Sequence, residues 1–212
     1  MLKRLLDVAA SSMGLVFLSP FLFMVAVAIR LEDGGPVFYR GLRVGQHGRP
    51  FRIFKFRTMV VNAEGLGGPS TANNDPRITR TGQFLRRHKL DELPQLINVL
   101  TGEMSLVGPR PEVQQYVDLY TKEEQLILNL RPGITDWASL WNPDEGAVLA
   151  KSPDPEKTYL EKIRPEKIRL QLEYLHQRSF RIDLVILLQT AGAILFRGKP
   201  RAMEAVEQKE SL

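Results

Sequence analysis

The 212-residue sequence has no cysteine, and its three histidines stand far apart at His47, His88 and His176. Disulfide bonds and thiolate chemistry are therefore excluded, and no histidine pair has the spacing of a zinc site. Acidic residues are also missing from the stretch between Asp33 and Glu64. The chain needs no oxidising compartment, and the acid-free stretch is where an anionic partner is expected to bind.

What the sequence does contain is typical of a folded domain. Hydrophobic residues make up 43% of it and charged residues 25%, and its length allows one domain with a real core. The formal net charge of +5 favours an anionic partner, which could be nucleic acid, an acidic membrane surface or a phosphorylated metabolite. Composition does not choose among these three.

A long apolar segment, residues 5–29, has basic residues on both sides, with Lys3 and Arg4 before it and Arg30 after it. As one helix it would be about 37 Å long, which is enough to cross a bilayer. A cleaved signal peptide would also begin with basic residues, but its apolar part is usually shorter, at about 7–15 residues. A signal peptide and a spanning helix are two of three interpretations.

The third interpretation is a re-entrant helix that enters and leaves the same leaflet. Ser19-Pro20 lies within the apolar segment, and proline removes a backbone donor and clashes with the preceding turn. Basic residues at both ends fit two cytoplasmic ends under the positive-inside tendency. The residues favour a helix–break–helix with its break at Ser19 and Pro20, and leave the spanning helix open.

The acid-free stretch predicts a β-hairpin, because two runs rich in β-formers flank the turn-forming residues 45–50. Aromatic and basic residues alternate in it, which puts cations on one face and apolar side chains on the other. Such a face suits either phosphate groups or anionic lipid headgroups. The cations are Arg40, Arg43, Arg49, Arg52, Lys55 and Arg57.

Two adjacent carboxylates, Asp91 and Glu92, precede a short amphipathic helix that Gly102 is expected to end. With Asp91 as the N-cap, Pro94 falls in the first turn, where its missing N–H has no intrahelical partner to lose. The positive end of the helix dipole would keep both acids ionised and would also attract phosphate. Plain helix capping is the alternative explanation of these acids.

Arg110 stands between two prolines in the sequence Gly108-Pro109-Arg110-Pro111. Because each proline fixes φ, the guanidinium projects from a stiff backbone and can grip a phosphate with two parallel hydrogen bonds. A carboxylate nucleophile that attacks an anionic substrate must be ionised, oriented, and shielded by cations or a metal. Asp91, Glu92 and Arg110 are candidates for these roles.

These segments together resemble a known family. LDELPQLINVLTGEMSLVGPRPE, with FRIFKFRTM upstream and RPGIT downstream, closely resembles the bacterial sugar transferases, the monotopic phosphoglycosyl transferases that start glycan assembly on a polyprenol phosphate. The similarity runs from Leu2 to about Leu195. It implies transfer of a phospho-sugar from a UDP-sugar to polyprenol (undecaprenyl) phosphate with release of UMP, and no nucleic-acid partner. It also favours the re-entrant helix over the spanning one.

The resemblance implies roles for single residues. Asp91 is similar to the family's nucleophile, which forms a phosphosugar–aspartyl intermediate in a ping-pong mechanism, and Glu92 to its partner, expected to hold Mg²⁺. One or two carboxylates with phosphate oxygens are the usual magnesium arrangement, so Asp91 and Glu92 are the predicted metal ligands. Arg110 is similar to the arginine that binds phosphate, and Lys55 and Arg86 to basic residues of the site.

At two positions the sequence departs from the commoner pattern of the family. Asp136 follows RPGIT where many members have glycine, and Gln171 replaces an aspartate often found in the C-terminal helix. Selectivity for the nucleotide sugar is expected to reside in that region.

The predicted fold class is α+β, mostly helical with a small β-hairpin, an N-terminal re-entrant membrane helix and interfacial amphipathic helices. Residues 1–32 form the membrane helix, residues 33–198 the catalytic domain and residues 199–212 a charged, flexible tail. One helix is predicted to open at Pro165, and a second, apolar helix to end near Phe196, too short to span a bilayer. The resemblance implies the bacterial inner membrane, with the catalytic domain on the cytoplasmic face and membrane lipids as partners.

A rival interpretation is a non-catalytic, basic protein tethered to the membrane that binds nucleic acid or anionic lipid. The positive charge and the aromatic-basic hairpin permit it. It leaves the adjacent Asp91 and Glu92 without a purpose, and turnover of a UDP-sugar separates the two interpretations.

Overall fold

The computed structural model describes residues 2–66 and 71–196, so the predicted tail at 199–212 lies outside the described residues. The described chain is mostly helical with three small two-stranded sheets, which confirms the coarse α+β prediction. Its helices are α1 Leu2–Asp33, α2 Arg80–Arg87, α3 Gln95–Thr101, α4 Gln114–Val117, α5 Trp137–Trp141, α6 Glu145–Leu149, α7 Pro155–Thr158, α8 Arg164–Gln177 and α9 Phe180–Phe196. Its strands are β1 Phe38–Tyr39, β2 Leu42–Val44, β3 Pro50–Arg52, β4 Lys55–Phe56, β5 Ser105–Val107 and β6 Gly133–Thr135.

Helix α1 contains the apolar segment and is about 48 Å long at 1.5 Å per residue. Among residues 2–66 and 71–196, it is the helix whose length and composition would allow it to cross a membrane. Its outward face exposes large apolar side chains, including Phe17 at 79% and Leu31 at 80%. An apolar surface of this kind indicates association with a membrane.

Helical structure continues through Ser19 and Pro20, so the predicted interruption of the helix is not observed. Pro20 has no N–H to donate to the carbonyl of Val16, four residues earlier. The Ser19 hydroxyl donates to that carbonyl instead, with an oxygen–oxygen distance of 2.8 Å. The polar group that proline would leave unpaired is therefore satisfied within the helix, as a lipid environment demands.

Both ends of α1 contact the rest of the protein. Near the start, the Lys3 ammonium forms an ion pair with Asp183 in α9 at 2.7 Å. Near the end, the Glu32 carboxylate accepts a hydrogen bond from the N–H of Arg80 at 2.9 Å. Between these contacts, buried apolar residues join the helix to the core, with Val25 and Ile29 against Phe56 and Leu85. The helix therefore lies along the body instead of projecting from it.

Asp7, the acid within the apolar segment, is only 3% exposed. Its Oδ1 accepts hydrogen bonds from the Ser105 hydroxyl at 3.1 Å and from the Leu106 N–H at 3.0 Å. Both donors belong to β5. A buried acid in an apolar helix is thus explained by its contact with a strand of the body.

The predicted hairpin is confirmed and extended. Strands β2 and β3 pair antiparallel on either side of residues 46–48, and β1 pairs with β4 in the same sense. The third sheet pairs β5 and β6 in parallel, with Ser105 opposite Gly133 and Val107 opposite Thr135. This last pair lies in the core, where Val107 packs with Tyr174 of α8 and Ile186 of α9.

The basic residues of the hairpin do not form one phosphate-binding face. Lys55 contacts the adjacent acids, as described below. Arg57 is buried in an ion pair with Asp33, and Arg40 lies over the ring of Phe54, 3.4 Å from its centroid. The basic residues of the hairpin therefore make several separate structural contacts.

The two predicted C-terminal helices are confirmed. Pro165 lies in the first turn of α8, and the described part of α9 runs from Phe180 to Phe196. In α9, Ile186 is fully buried whereas Leu188 is 72% exposed, so the helix has one face in the core and one apolar face turned outward.

Candidate active site

The adjacent acids lie in a tight turn and not at the start of a helix. Leu90–Glu92 form a 3₁₀ turn, and the chain enters it through Lys89 in the left-handed conformation, with φ +56°. Helix α3 begins only at Gln95 and ends, as predicted, before Gly102, whose φ is +89°. The prediction that Asp91 is the N-cap of this helix is wrong.

Pro94 explains why Asp91 does not cap a helix. An N-cap side chain accepts a hydrogen bond from the N–H two or three residues further on. The N–H of Leu93 is bonded to the carbonyl of Leu90 at 3.3 Å, and Pro94 has no N–H. Because both donors are unavailable, the backbone makes no use of the Asp91 carboxylate.

Glu92 binds two cations from distant parts of the chain. Lys55 Nζ in β4 donates to Glu92 Oε1 at 2.7 Å. Arg110 donates through both terminal nitrogens, to Oε2 at 3.0 Å and also to Oε1. The two-bond grip expected of Arg110 is thus made with a carboxylate of the protein itself. The side chains of Lys55, Glu92 and Arg110 are 18%, 17% and 34% exposed.

These contacts set the charges of the network. Burial alone would raise the pKa of Glu92, but Arg110 and Lys55 outweigh it and hold that pKa well below its ordinary value. The charge of Glu92 raises the pKa of Arg110. Burial lowers the pKa of Lys55, against the attraction of Glu92. Glu92 is therefore a permanent anion that fixes the position of both cations.

Asp91 has a different environment. It is 9% exposed, and its carboxylate accepts no hydrogen bond from any residue in the described part of the chain. Burial, and then repulsion by Glu92, raise the pKa of Asp91, while Lys55, Arg86 and Lys89 lower it in part. The oxygens of Asp91 are not fully enclosed, so a substrate can reach them, and raised basicity makes the carboxylate a better nucleophile.

Arg86 comes from α2 and is held by Thr58. Its Nε donates to the Thr58 hydroxyl at 2.9 Å. The helix approaches this closely because it carries Gly82, where a Cβ would lie 2.0 Å from the Thr58 carbonyl oxygen. The positive charge of Arg86 acts on Asp91, although no ion pair joins these two described side chains. Its remaining nitrogens are available to an anion between them.

The backbone of Arg110 is held in place by Asp136. Its N–H donates to Oδ2 of Asp136 at 3.2 Å, and the same oxygen accepts from Nε2 of Gln171 at 3.3 Å. The other oxygen of Asp136 accepts from the N–H and the hydroxyl of Ser139, both at 2.7 Å. Asp136 and Gln171, the two positions singled out in the sequence, therefore contact each other, and Asp136 supports Arg110.

Sequence reasoning missed a buried charged cluster next to Arg110. Lys167 of α8 pairs with Glu112 at 2.5 Å, and the Tyr159 hydroxyl donates to the same carboxylate at 3.0 Å. Burial opposes ionisation of Glu112, but Lys167 lowers its pKa overall. Glu112 follows Arg110 closely in the sequence, which was the available signal. Lys167 and Tyr159 are distant from Arg110 in the sequence, so no local pattern indicated that they join this cluster.

The predicted metal ligands supply two carboxylates. Residues 2–66 and 71–196 contain no group of three or more His, Cys, Asp or Glu side chains able to hold a metal ion. Asp91 is free, and Glu92 is already bound by Lys55 and Arg110. This donor set fits Mg²⁺ bound through one or two carboxylates together with substrate phosphates, and does not fit a complete protein cage.

Comparison with known proteins identifies the family of this chain. The family model described as bacterial sugar transferase matches residues 1–197. The chain belongs to the bacterial sugar transferase family. The predicted family resemblance is thereby confirmed, and Asp91, Glu92 and Arg110 lie in the part of the chain that the family model covers.

Three relatives illustrate the similarity. The UDP-N-acetylgalactosamine-undecaprenyl-phosphate N-acetylgalactosaminephosphotransferase of Aeromonas hydrophila is 36% identical over 197 residues, 92% of this chain and 44% of the relative. The UDP-glucose:undecaprenyl-phosphate glucose-1-phosphate transferase of Escherichia coli strain K12 is 38% identical over 193 residues, 90% of this chain and 39% of the relative. The enzyme of the same name from Caulobacter vibrioides is 36% identical over 196 residues, 91% and 69%. The chain thus spans less than half the length of the first two.

Proposed function

We propose that this protein is a membrane phosphoglycosyl transferase that moves a sugar 1-phosphate from a UDP-sugar to polyprenol phosphate, of which undecaprenyl phosphate is the bacterial form. One observation carries the proposal. Asp91 is a largely buried residue whose carboxylate accepts no hydrogen bond from the described residues, and the cations Lys55, Arg86 and Lys89 act on it. The printed names of relatives supply the substrate classes.

In the first half-reaction, a carboxylate oxygen of Asp91 attacks the β-phosphorus of the UDP-sugar. A new bond forms between that oxygen and phosphorus, and the bond from phosphorus to the oxygen bridging the two phosphates breaks. The bridging oxygen leaves with its electron pair as part of UMP. The product is a phosphosugar–aspartyl intermediate on Asp91, so UMP departs before the lipid acceptor is needed.

In the second half-reaction, a phosphate oxygen of polyprenol phosphate attacks the same phosphorus. The bond between phosphorus and Asp91 breaks, the carboxylate is restored, and polyprenyl-diphospho-sugar is released. The acceptor oxygen is already ionised at neutral pH, because the second pKa of a phosphate monoester is about 6. Neither step therefore requires a general base to remove a proton from the acceptor.

The cations stabilise charge during both steps. The diphosphate brings negative charge toward two carboxylates, and Lys55, Arg86 and Arg110 offset it. Because Glu92 fixes Lys55 and Arg110 beforehand, little reorganisation is needed when the substrate arrives. Asp91 and Glu92 would hold Mg²⁺, which when bound supplies further neutralisation of the phosphates.

We also infer a membrane topology in which both ends of α1 lie on the cytoplasmic side, as in the re-entrant interpretation. The support is that Lys3 and Glu32, at opposite ends of the helix, contact the same body. A helix that crossed the bilayer would separate those ends by the membrane thickness. The outward apolar faces of α1 and α9 would then lie in one leaflet and its interface.

The chemical proposal is tested by incubating the detergent-solubilised protein with a UDP-sugar and Mg²⁺ but without polyprenol phosphate. Intact-mass measurement should find up to one phosphosugar adduct per chain, on the peptide that contains Asp91, with UMP released in equal amount. A panel of UDP-sugars identifies the donor, because the relatives' names differ in the sugar.

The matched variant is Asp91→Asn, which keeps the shape of the side chain and removes its charge. It should form no adduct and lose at least about 10³-fold in turnover. A folded Asp91→Asn protein that still turned over near the native rate would falsify the aspartyl intermediate. Steady-state plots that intersect instead of running parallel would argue for direct transfer between the two substrates.

A further inference from the structure

A second cleft, of about 410 Å³, shares no lining residue with the active site. It opens where α1 and α9 begin, between Lys3 and Arg4 on one helix and Phe180 on the other. Val107 of β5 and Arg131 of the RPGIT motif also line it. The transfer reaction proposed above gives none of these residues a role.

The cleft is lined by more positive than negative charge. Its cations are Lys3, Arg4, Arg131 and Arg178, and its acids are Asp7 and Asp183.

Both acids are already satisfied. Asp183 pairs with Lys3 at 2.7 Å and accepts from the Tyr174 hydroxyl at 2.6 Å. Asp7 accepts from two donors of β5, at 3.0 and 3.1 Å. Neither acid forms an ion pair with Arg131 or Arg178.

Two of the cations have no acceptor. Arg4 is used structurally, since its guanidinium donates to the carbonyls of Val99 and Leu100 at the end of α3. The side chains of Arg131 and Arg178, by contrast, make no hydrogen bond or ion pair with any residue in ranges 2–66 and 71–196. Two unpaired guanidinium groups that line one cleft favour an anion with several acceptor oxygens, such as a phosphate.

The surroundings of the cleft identify which phosphate compound fits. The first turns of α1 expose Leu2 at 60% and Leu5 at 66%, and α9 exposes Leu184 at 38% and Leu188 at 72%. A ligand with a phosphate in the cleft therefore has apolar protein surface beside it. That combination matches a phospholipid, whose headgroup is anionic and whose chains are apolar, and does not match a free nucleotide or sugar phosphate. Polyprenol phosphate also joins a phosphate to an apolar chain, but its phosphate has to reach Asp91, which does not line this cleft.

We propose that this cleft binds the headgroup of an anionic phospholipid, with Arg131 and Arg178 on its phosphate. The site is separate from the one that binds the UDP-sugar and the polyprenol phosphate. If the cleft did not bind lipid, the proposed transfer reaction would still stand, because adduct formation on Asp91 does not involve the cleft. The lipid would hold the starts of α1 and α9 at the depth of the headgroups.

The test is native mass spectrometry of the detergent-solubilised protein, titrated with phosphatidylglycerol or with phosphatidylcholine of the same acyl chains. The wild-type protein should retain phosphatidylglycerol preferentially. The double variant Arg131→Gln/Arg178→Gln should bind it at least about tenfold more weakly, since each basic residue near a lipid surface contributes roughly a factor of five. Binding of phosphatidylcholine should not change.

Two control variants separate the site from net charge. Arg49→Gln/Arg80→Gln removes the same charge from exposed side chains outside the cleft and should bind phosphatidylglycerol like the wild type. Arg131→Lys/Arg178→Lys keeps the charge and should retain most of the binding, which also shows that substitution at these positions leaves a folded protein.

Three results would overturn the proposal. The first is unchanged binding of phosphatidylglycerol by the glutamine double variant. The second is an equal loss in the Arg49/Arg80 control. The third is competition by soluble glycerol 1-phosphate as effective as that of the lipid, which would make the ligand a free phosphate compound.

Discussion

Asp91 combines burial with a carboxylate that no described residue hydrogen-bonds, and this combination weakens the fold at the residue where the chemistry is proposed. The neighbouring Glu92 is in the opposite position, because two cations stabilise its charge. One acid of the pair therefore reduces the free energy of unfolding and the other increases it. Such an asymmetry is typical of sites selected for activity at the expense of stability.

The first prediction concerns the stability of Asp91→Asn. Because the folded-state pKa of Asp91 is raised, the folded protein binds this proton more tightly than the unfolded chain, and stability falls as pH rises from about 4 through the folded-state pKa. Asparagine cannot ionise, so the variant does not lose stability in this way as the pH rises. We expect the free energy of unfolding to increase by about 1–2 kcal/mol above the folded-state pKa and to change little near pH 4.

Thermal unfolding in detergent, followed by the fluorescence of Trp137 and Trp141, measures this difference across the pH range. Glu92→Gln is the contrasting variant, since it leaves Lys55 and Arg110 without their shared anion. It should lose about 2–4 kcal/mol, less than a fully buried pair because these side chains keep some exposure. A destabilised Asp91→Asn protein at high pH would contradict the assigned environment of Asp91.

The second prediction concerns Arg110→Lys. A lysine keeps the charge but cannot make two parallel hydrogen bonds, so it should not reproduce the grip on Glu92 that positions this cation. We expect kcat/KM for the UDP-sugar to fall by about 10- to 100-fold at sub-saturating donor. Arg80→Lys, an exposed position outside the site, is the control. Near-native activity of Arg110→Lys would show that Arg110 acts through its charge alone.

The sequence suggested residues for the site but not their mutual contacts. Residue type and spacing pointed to Asp91, Glu92 and Arg110, and Lys55 and Arg86 came from the family resemblance. Nothing local indicated that Arg110 would bind Glu92 before any phosphate arrived. Contacts of this kind depend on how distant segments pack, and the sequence pattern of one segment carries no record of them.

At the scale of elements, α1 shows how a proline is accommodated in an apolar helix. The Ser19 hydroxyl takes over the hydrogen bond to the Val16 carbonyl that Pro20 cannot make. The helix is therefore continuous where the sequence suggested a break. The expectation was reasonable from Pro20 alone, and Ser19 is the neighbour that changes the outcome.

The third prediction concerns the Ser19 hydroxyl, which donates to the Val16 carbonyl in place of the N–H that Pro20 lacks. Ser19→Ala should leave the Val16 carbonyl unpaired and cost about 1–3 kcal/mol in the free energy of unfolding. Adding Pro20→Ala restores an N–H, so the double variant should recover most of the loss, and Ser19→Thr should resemble the wild type. Thermal unfolding of these proteins and of the single Pro20→Ala variant gives the coupling. If the two changes proved additive, the hydroxyl would have no compensating role.

Other elements were predicted with mixed success, for physical reasons. The hairpin, the helix end at Gly102 and the two C-terminal helices rest on local periodicity and turn residues, and all are confirmed. The start of α3 was misplaced because Lys89 adopts a left-handed conformation and the chain makes a 3₁₀ turn first. A lysine gives no local signal for positive φ, and the turn brings Glu92 to Lys55.

At the scale of the whole molecule, α1 and the body form one unit. Ion pairs and hydrogen bonds hold both ends of the helix, and the core holds its second half. The membrane-facing surface of α1 is therefore positioned relative to Asp91 without a flexible linker. A lipid acceptor that meets this surface would find its phosphate at a constant depth relative to the nucleophile.

The fourth prediction tests this arrangement through the absence of cysteine, which lets a single introduced cysteine be labelled without background. Leu2→Cys, Leu31→Cys and Lys151→Cys probe the two ends of α1 and the body. In intact cells none should react with a membrane-impermeant maleimide, and in inverted membrane vesicles all three should. Labelling of position 2 from the side opposite to position 151 would establish a spanning helix.

The ion pair between Lys3 and Asp183 also has a consequence for biosynthesis. The two residues are 180 positions apart, so at about 5–20 residues per second Lys3 is synthesised on the order of ten to forty seconds before its partner. During that interval the apolar helix has no body to lie against, and the bilayer is the available apolar surface. The order of translation thus favours insertion of α1 first, with the catalytic body folding afterwards onto a helix that already resides in the membrane.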